Sequence, residues 1–295
     1  MHNQDFVERE RTNLLFEISY MHIDHKRRRW IGDRLAKLGD TRSGIGLNKY
    51  GFPHIEWLPV SLGGEIEIED NHFTIQPFYV AKYLITSIQF ESFIDDTFED
   101  KSWWSGFPEK FARSELSAAI APYYNYPRDS ISWYEAVAFG RWMDHKYRAS
   151  GLFKQFAFEN YQIRLPTEWE WQWMAQNGAE ARKYPWGSWD KYPRANTNEE
   201  GIGDSSTAVG MYPQGCAECG AFDVSGNLFE WCLNNYESLT ITKVQNSELK
   251  TLRGGCFSYD RYYAASNSRS SSFPNFSFPT YGLRLVVAPQ IKIDS

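Results

Sequence analysis

Leu252–Val286 reads LRGGCFSYDRYYAASNSRSSSFPNFSFPTYGLRLV. It opens on Arg253-Gly254-Gly255 and closes on Gly282-Leu283-Arg284. Between these arms, Ser258–Tyr281 is mostly Ser, Tyr, Phe, Asn, Asp, Thr and Ala, with no Lys, Glu, Gln, Trp or Met and no large aliphatic residue. The arms read as scaffold. Paired glycines adopt backbone conformations closed to other residues, and the Arg253 and Arg284 guanidinium forks suit carboxylates or carbonyls. Trp231, Leu283 and Leu285 read as core. The interior reads as recognition surface: Tyr gives large, rigid, amphipathic contact, Ser and Asn give adaptable hydrogen bonds, and loops on a rigid scaffold tolerate change.

Working outward, the rest of the chain reads as α+β rather than as alternating strand–helix units. Phe6, Leu14, Leu15, Ile18, Met21, Ile31, Leu35 and Leu38 recur at roughly helical spacing, so residues 1–51 are expected to be a helical segment, C-capped at Gly39, followed by a Gly-rich linker or ordered loop. The main domain is expected over residues 52–295. Strands are predicted over 55–60, 64–68, 73–75 and 78–80. Three capping boxes, Thr86–Gln89, Ser132–Glu135 and Thr167–Glu170, each predict a helix start. Beyond about residue 185 the chain reads as loops with short strands.

With 295 residues the chain can bury a substantial core, and its 12 Trp, 18 Tyr and 20 Phe supply much of it. A net charge of −6 argues against nucleic acid as the main partner. Lys26-Arg27-Arg28-Arg29 reads as a solvated helix face. No apolar leader and no membrane-length apolar run is present, which gives the expectation of a cytoplasmic protein without a membrane partner. Four cysteines in so long a chain do not make a disulfide framework.

Seven segments in order, PFYVAKYLITSIQFESFI, YPRDSISWYEAVAFGRWM, IRLPTEWEWQWMAQNG, YPWGSWD, ANTNEEGIGDSSTAVGMYPQG, FDVSGNLFEWC and LRGG…YGLRLV, resemble the formylglycine-generating enzyme (sulfatase-modifying factor) family over about residues 52–288. The resemblance implies a C-type-lectin-like fold. The enzyme that gives the family its name resembles an oxidase with copper between two thiolates, ligands whose softness suits Cu(I). The positions of those cysteines here hold Tyr259 and Ala264, and Cys256 stands where the family usually has Ser, so no copper is expected. A sulfur-transferring branch takes iron through a His-x3-His-x-Glu pattern. His22 and His25 are separated by two residues, and Arg27 occupies the acidic position. Both histidines therefore read as surface or interface residues, and no iron is expected. Cys216-Ala217-Glu218-Cys219 lacks a second close pair for zinc. The resemblance implies two structural calcium sites. One would use the Asp223 and Glu230 side chains with the Gly226 and Leu228 carbonyls. The other would use Asn196, the Thr197 carbonyl, Glu200 and the Ile202 carbonyl.

The family also has a non-catalytic use, in the variable proteins of diversity-generating retroelements. There the C-terminal segment is rewritten at template adenines. Randomising AAY codons yields Asn, Tyr, Ser, Asp, Phe, Thr or Ala but never Lys, Glu, Gln, Met or Trp, and Ser258–Tyr281 resembles such output. On that register the varied, ligand-contacting positions are Ser258, Tyr259, Asp260, Tyr262, Tyr263, Ser268, Ser270, Ser271, Ser272, Phe273, Asn275, Phe276, Phe278, Thr280 and Tyr281. Trp103, Trp104 and Trp186 are expected on the same surface. The expected function is non-catalytic binding of a protein or other macromolecular ligand, with the N-terminal helix packing on the domain or recruiting a signalling partner. The competing readings are a metal-dependent oxidase or sulfur-transfer enzyme, and a binding domain of fixed specificity.

Overall fold

The structure is a computed structural model that describes residues 2–109, 117–156, 158, 160–199, 204–245 and 247–291. The N-terminal helical segment is two helices, α1 (His2–Glu17) and α2 (His25–Leu38). Asp24 separates them by accepting from the Arg27 N–H at 2.8 Å, an N-cap that starts α2. Gly39 ends α2 with φ +83°, as its sequence position suggests. Leu14, Ile18, Ile31 and Leu35 pack on Tyr126, Met211 and Tyr212, so the hairpin is part of the folded body.

Two expectations for this segment are corrected. Phe6 does not join the apolar stripe and is 64% exposed. The basic run is a solvated face only in part: Lys26 is exposed and Arg27 and Arg29 are half-exposed, but Arg28 departs from it. Arg28 is fully buried, and its guanidinium donates to the carbonyls of Ile18 (2.9 Å), Tyr20 (2.9 Å), Ile23 (3.1 Å) and Met211 (2.6 Å). A turn packed against the body leaves carbonyls away from water, and one guanidinium satisfies four of them. Its neighbours pair outward, Arg27 with Glu17 at 2.6 Å and Arg29 with Asp204 at 2.5 Å.

The Gly-rich stretch after α2 is an ordered loop. Gln89 donates to the Gly44 and His54 carbonyls at 3.0 and 3.1 Å, and Thr86 donates to the Ile45 carbonyl at 2.7 Å. β1 (Trp57–Val60), β4 (Phe78–Ala81), β10 (Val286–Pro289) and β5 (Tyr161–Arg164) form one sheet in that order. The last strand therefore lies between two early ones, which closes the domain. β2 (Gly64–Ile68) and β3 (Asn71–Ile75) form a separate hairpin.

All three capping boxes start helices: α3 (Ser87–Thr97), α4 (Trp133–Ala149) and α5 (Glu168–Ala175). In α4 the Glu135 carboxylate accepts from the Ser132 N–H at 2.6 Å, and in α5 the Glu170 carboxylate accepts from the Thr167 N–H at 2.9 Å. The α4 stripe Ala136, Phe139, Trp142 and Met143 is buried against Phe90 and Phe93 of α3. The second main sheet runs β8 (Ser270–Ser272), β7 (Lys250–Arg253), β6 (Phe229–Asn235), β9 (Tyr281–Gly282). It carries both arms of the Leu252–Val286 frame.

Replacing Arg28 with Ala strands four carbonyls at the α1–α2 turn. The expected loss is about 3 kcal/mol of stability, because buried polar groups left unpaired cost most. Thermal unfolding together with proteolytic nicking between residues 18 and 24 would read it, and an unchanged Tm with an uncut turn would refute the clamp.

A framed aromatic surface as the candidate functional site

Both arms are held by buried guanidinium groups. Arg253 is fully buried, lies over the Trp171 ring at 5.1 Å and donates to the carbonyls of Ser266 (2.9 Å) and Ser268 (2.6 Å) and to Gln172. It thereby pins the far end of the first surface loop to the strand that starts it. Arg284, also fully buried, pairs with Glu230 at 2.8 Å and donates to the carbonyls of Ala81 (2.9 Å), Lys82 (3.2 Å) and Phe222 (2.7 Å). A third fork, Arg269, grips the buried Glu168 carboxylate at 2.7 Å and the Tyr236 carbonyl at 2.7 Å, fixing the start of β8. Gly255 has φ +69°, and a Cβ there would meet the Tyr263–Ala264 peptide at 2.9 Å. Glycine is what lets the first loop fold back over its own base.

Upon this base the expected surface residues separate sharply by exposure. Ser258, Tyr259, Asp260, Tyr262, Tyr263, Phe273, Phe276 and Phe278 are exposed, and Ser268, Ser270, Ser271, Asn275, Thr280 and Tyr281 are half-buried. Ser272 departs from the set. It is buried, because it sits in β8 opposite Lys250 of β7 with its side chain inward. Among the residues left out of the varied set, Ala264, Ala265, Ser266 and Pro274 are buried and anchor the loops.

The exposed rings other than Tyr262 are linked, through Phe229 and Tyr281, into one connected run. Phe273, Phe276, Phe278 and Tyr281 follow each other with centroid separations of 5.5, 5.8 and 5.2 Å. Tyr281 lies 6.4 Å from Phe229, Phe229 lies 5.5 Å from Tyr259, and Tyr259 lies 4.7 Å from Tyr263. Edge-to-face contacts of this kind hold rings in fixed relative orientation. Phe229 is the joint between the two loops and was not singled out from sequence, where only its neighbours Glu230 and Trp231 were. The neighbouring tryptophans divide. Trp104 is core, packed on Phe98 at 5.0 Å, so its expected place on the surface is corrected. Trp103 packs against the same core. Trp186 stacks on Tyr184 at 5.4 Å, and the Tyr184 hydroxyl donates to the Arg261 carbonyl at 3.2 Å, which brings that cluster to the edge of the surface.

The expected metal ligands were tested against the donor geometry. Both Glu230 oxygens accept N–H groups: Oε1 from Arg284 at 2.8 and 3.1 Å, Oε2 from Arg284 at 3.0 Å and from Trp171 Nε1 at 2.9 Å. The place of a cation beside Glu230 is thus taken by a guanidinium, and a calcium ion does not fit there without opening the pair. Asp223 accepts from the Gly210 N–H at 2.7 Å. Gly226 and Leu228 are buried in the same turn. In the second set, Asn196 uses its amide on the Ser205 carbonyl (3.0 Å) and Asn227 (3.2 Å), and Thr197 is buried. Glu200 and Ile202 lie outside the described residues. Among the described residues no group of three or more His, Cys, Asp or Glu could hold a metal ion. All four cysteines are free. Burial pushes the Cys232 and Cys256 thiols up, away from thiolate character. His25 meets the Tyr212 hydroxyl at 3.0 Å, and His22 packs edge-on to Tyr192 at 5.3 Å. No helix among the described residues is long and apolar enough to cross a membrane.

Burial pushes the Asp223 carboxyl up from its ordinary 3.8 to about 6. The folded chain then binds more protons than the unfolded chain between those values. The contribution of Asp223 is fully present below pH 3.8 and is lost as pH rises through about 6. Asp223→Asn should flatten that slope in unfolding experiments. A calcium-dependent rise in Tm at neutral pH that Asp223→Asn abolishes would instead restore the cation to this turn. Breaking the neighbouring pair with Glu230→Gln should cost about 3–5 kcal/mol, because it leaves a buried guanidinium uncompensated.

Residues 59–289 match the family model of the sulfatase-modifying factor enzyme 1-like domain. The formylglycine-generating enzyme of Streptomyces coelicolor is 29% identical over 199 residues, covering 59% of this chain and 55% of that protein. The inactive C-alpha-formylglycine-generating enzyme 2 of Bos taurus is 25% identical over 188 residues, covering 57% and 54%. The chain spans about half the length of these curated relatives. Among solved structures, Treponema denticola variable protein 1 superposes with a TM-score of 0.57 at 18% identity, covering 79% of this chain and 95% of that one. At that identity the likeness speaks for the fold. With its mixed sheets, its capped helices and the framed C-terminal segment all in family order, the chain belongs to the sulfatase-modifying factor (formylglycine-generating enzyme) family and has its C-type-lectin-like α+β fold.

Proposed function

We propose that this chain is a non-catalytic binding protein whose contact surface is Ser258–Tyr281, diversified as in the variable proteins of diversity-generating retroelements. One observation carries the reading. Of the fifteen positions in the expected varied set only Ser272 is buried, whereas Thr251–Cys256 and Gly282–Ala288 are buried throughout. The positions expected to vary coincide with exposure, and the frame coincides with burial. Replacement of exposed loop side chains changes stability little, so the fold tolerates such rewriting.

The surface also suits a macromolecular ligand. Tyr259, Tyr262, Tyr263, Phe273, Phe276 and Phe278 are each more than 40% exposed, a concentration of large rings unusual outside interfaces. Serines and Asn275 lie among them as adaptable hydrogen-bonding groups. An oxidase of the family type needs two converging thiolates, and the matching positions hold the exposed Tyr259 and the buried Ala264. A relative called inactive, and a shared fold with a protein called a variable protein, are consistent with binding rather than turnover.

The deciding experiment is genomic. A near-copy of the Leu252–Val286 coding segment, differing mainly at adenines and lying beside a reverse transcriptase, is expected close to the gene. Finding no such copy in the complete genome would overturn diversification. The biophysical counterpart is a contrast in stability. Tyr262→Ala and Phe276→Ala should shift stability by only about 0.5 kcal/mol. Leu283→Ala in the frame should cost about 2–5 kcal/mol. Equal losses at surface and frame would contradict the partition.

A further inference from the structure

We infer that the cleft between the α1–α2 turn and the Trp189–Glu199 loop is a fixed site for an oxyanion, a carboxylate or phosphate, carried by the ligand of the neighbouring surface; the identity of that ligand rests on the binding reading above. The cleft encloses about 490 Å³, within the range of small-molecule sites. His22, His25, Trp189, Tyr192 and Arg261 of the surface segment line it, with His22 packed edge-on to Tyr192. It is tied directly to the binding loops. The Asn198 N–H donates to the Tyr259 carbonyl at 2.8 Å, and the Arg261 N–H donates to Glu199 at 2.6 Å. A ligand lying across Tyr259–Tyr263 therefore overhangs the cleft.

The charges of the cleft are sorted. Its acids are engaged within the protein: Asp24 caps α2, Asp190 accepts from Arg194 at 2.8 Å and from the Tyr192 N–H at 3.0 Å, and Glu199 holds the Arg261 N–H. Its bases are less fully engaged, although Arg261 bonds to Tyr262 and lies near the Glu199 carboxylate. Among the described residues, His22, Lys191 and Arg261 form no ion pair and rest instead on ring faces or edges, with His22 and Lys191 against Tyr192 at 5.3 and 5.4 Å and Arg261 over Tyr262 at 5.6 Å. The N-terminus of the 14-residue α2 adds the positive end of a helix dipole beside them.

An independent feature points to a bound oxygen. Thr197 lines the cleft, is 1% exposed, and among the described residues its hydroxyl has no hydrogen-bond partner. A buried hydroxyl left unpaired is costly, and an oxyanion would accept its proton while taking Lys191 and Arg261 as counter-charge. Trp189 and Tyr192 supply flat walls for whatever ring carries the charge. The cleft lies outside the varied positions, so it would give every version of the surface the same electrostatic foothold.

The test titrates the full chain with sodium glucuronate and with inorganic phosphate, using glucose as the neutral control. The His22 ring signals are followed by NMR and assigned with His22→Gln. Saturable shifts with Kd on the order of 1 mM are expected, weakened about fivefold or more in the Lys191→Met/Arg261→Met double variant, with glucose inert. Saturation by glucuronate alone assigns a sugar carboxylate, by phosphate alone a phosphate group, and by both the shared oxyanion chemistry. No saturable shift with either anion, or an equal shift in a double variant whose Tm is unchanged, overturns the site. The two proposals fail separately. A template copy without anion binding removes only the cleft, and anion binding without a template copy removes only diversification.

Discussion

The Glu230–Arg284 pair is the constraint on which the rest of this structure depends. Both side chains are fully buried. Glu230 lies on β6, opposite Arg253 of β7 on one side and Gly282 of β9 on the other. The backbone of one residue thus joins the strand that opens the surface segment to the strand that closes it, and its carboxylate holds Arg284 just beyond. Arg284 extends the same node to the carbonyls of Ala81, Lys82 and Phe222, and Trp171 brings α5 to it. Desolvating two charges is expensive, and only this density of partners offsets it. A hydrophobic pair could fill the volume but would strand three carbonyls. The node therefore specifies one arrangement of loops as well as holding it.

That specification is what makes a long polar segment usable. Ser258–Tyr281 contributes little aliphatic surface of its own, so its order has to be imposed from below. Arg253 takes the carbonyls at Ser266 and Ser268, and Arg269 takes Glu168 and the Tyr236 carbonyl. In each case the anchor meets backbone or a residue outside the surface set, not the side chain of a position expected to vary. Phe229 does the corresponding work for the rings, touching Tyr259 from one loop and Tyr281 from the other. The two halves of the surface are therefore coupled through a fixed residue.

Local signals were legible in the sequence, and tertiary ones were not. Thr86, Ser132 and Thr167 each start a helix because a capping box closes within four residues and needs no other part of the chain. Gly39 caps α2 for the same reason. The family order of motifs placed the two arms and the loops between them. Arg28 was misread because its sequence neighbourhood is uniformly basic, and its burial is decided by carbonyls that only the folded turn and Met211 supply. The break between α1 and α2 had a signal, Asp24 ahead of the second helical run, but the apolar spacing carries across it. Phe6 and Trp104 exchanged their expected places: hydrophobicity alone does not say which large residue finds a partner. Ser272 is inward because β8 pairs with β7, a register that composition cannot reveal. Trp171, which closes the Glu230 node, sits between two tryptophans that draw the eye as the helix stripe.

The loop that would carry catalytic thiolates in an oxidase of this family has been divided between two other tasks. Tyr259 is 42% exposed and belongs to the ring surface through Tyr263 and Phe229. Ala264 is fully buried, and its carbonyl accepts from the Ser225 hydroxyl at 2.8 Å, which locks the loop to the turn before β6. A soft metal held by two sulfurs needs both to converge on one point. Here one position faces solvent and the other is packed beneath the loop, while Gly255 fixes the fold-back between them. This packing sets a ring outward and a small residue inward at the two positions where an oxidase of the family would need converging sulfurs.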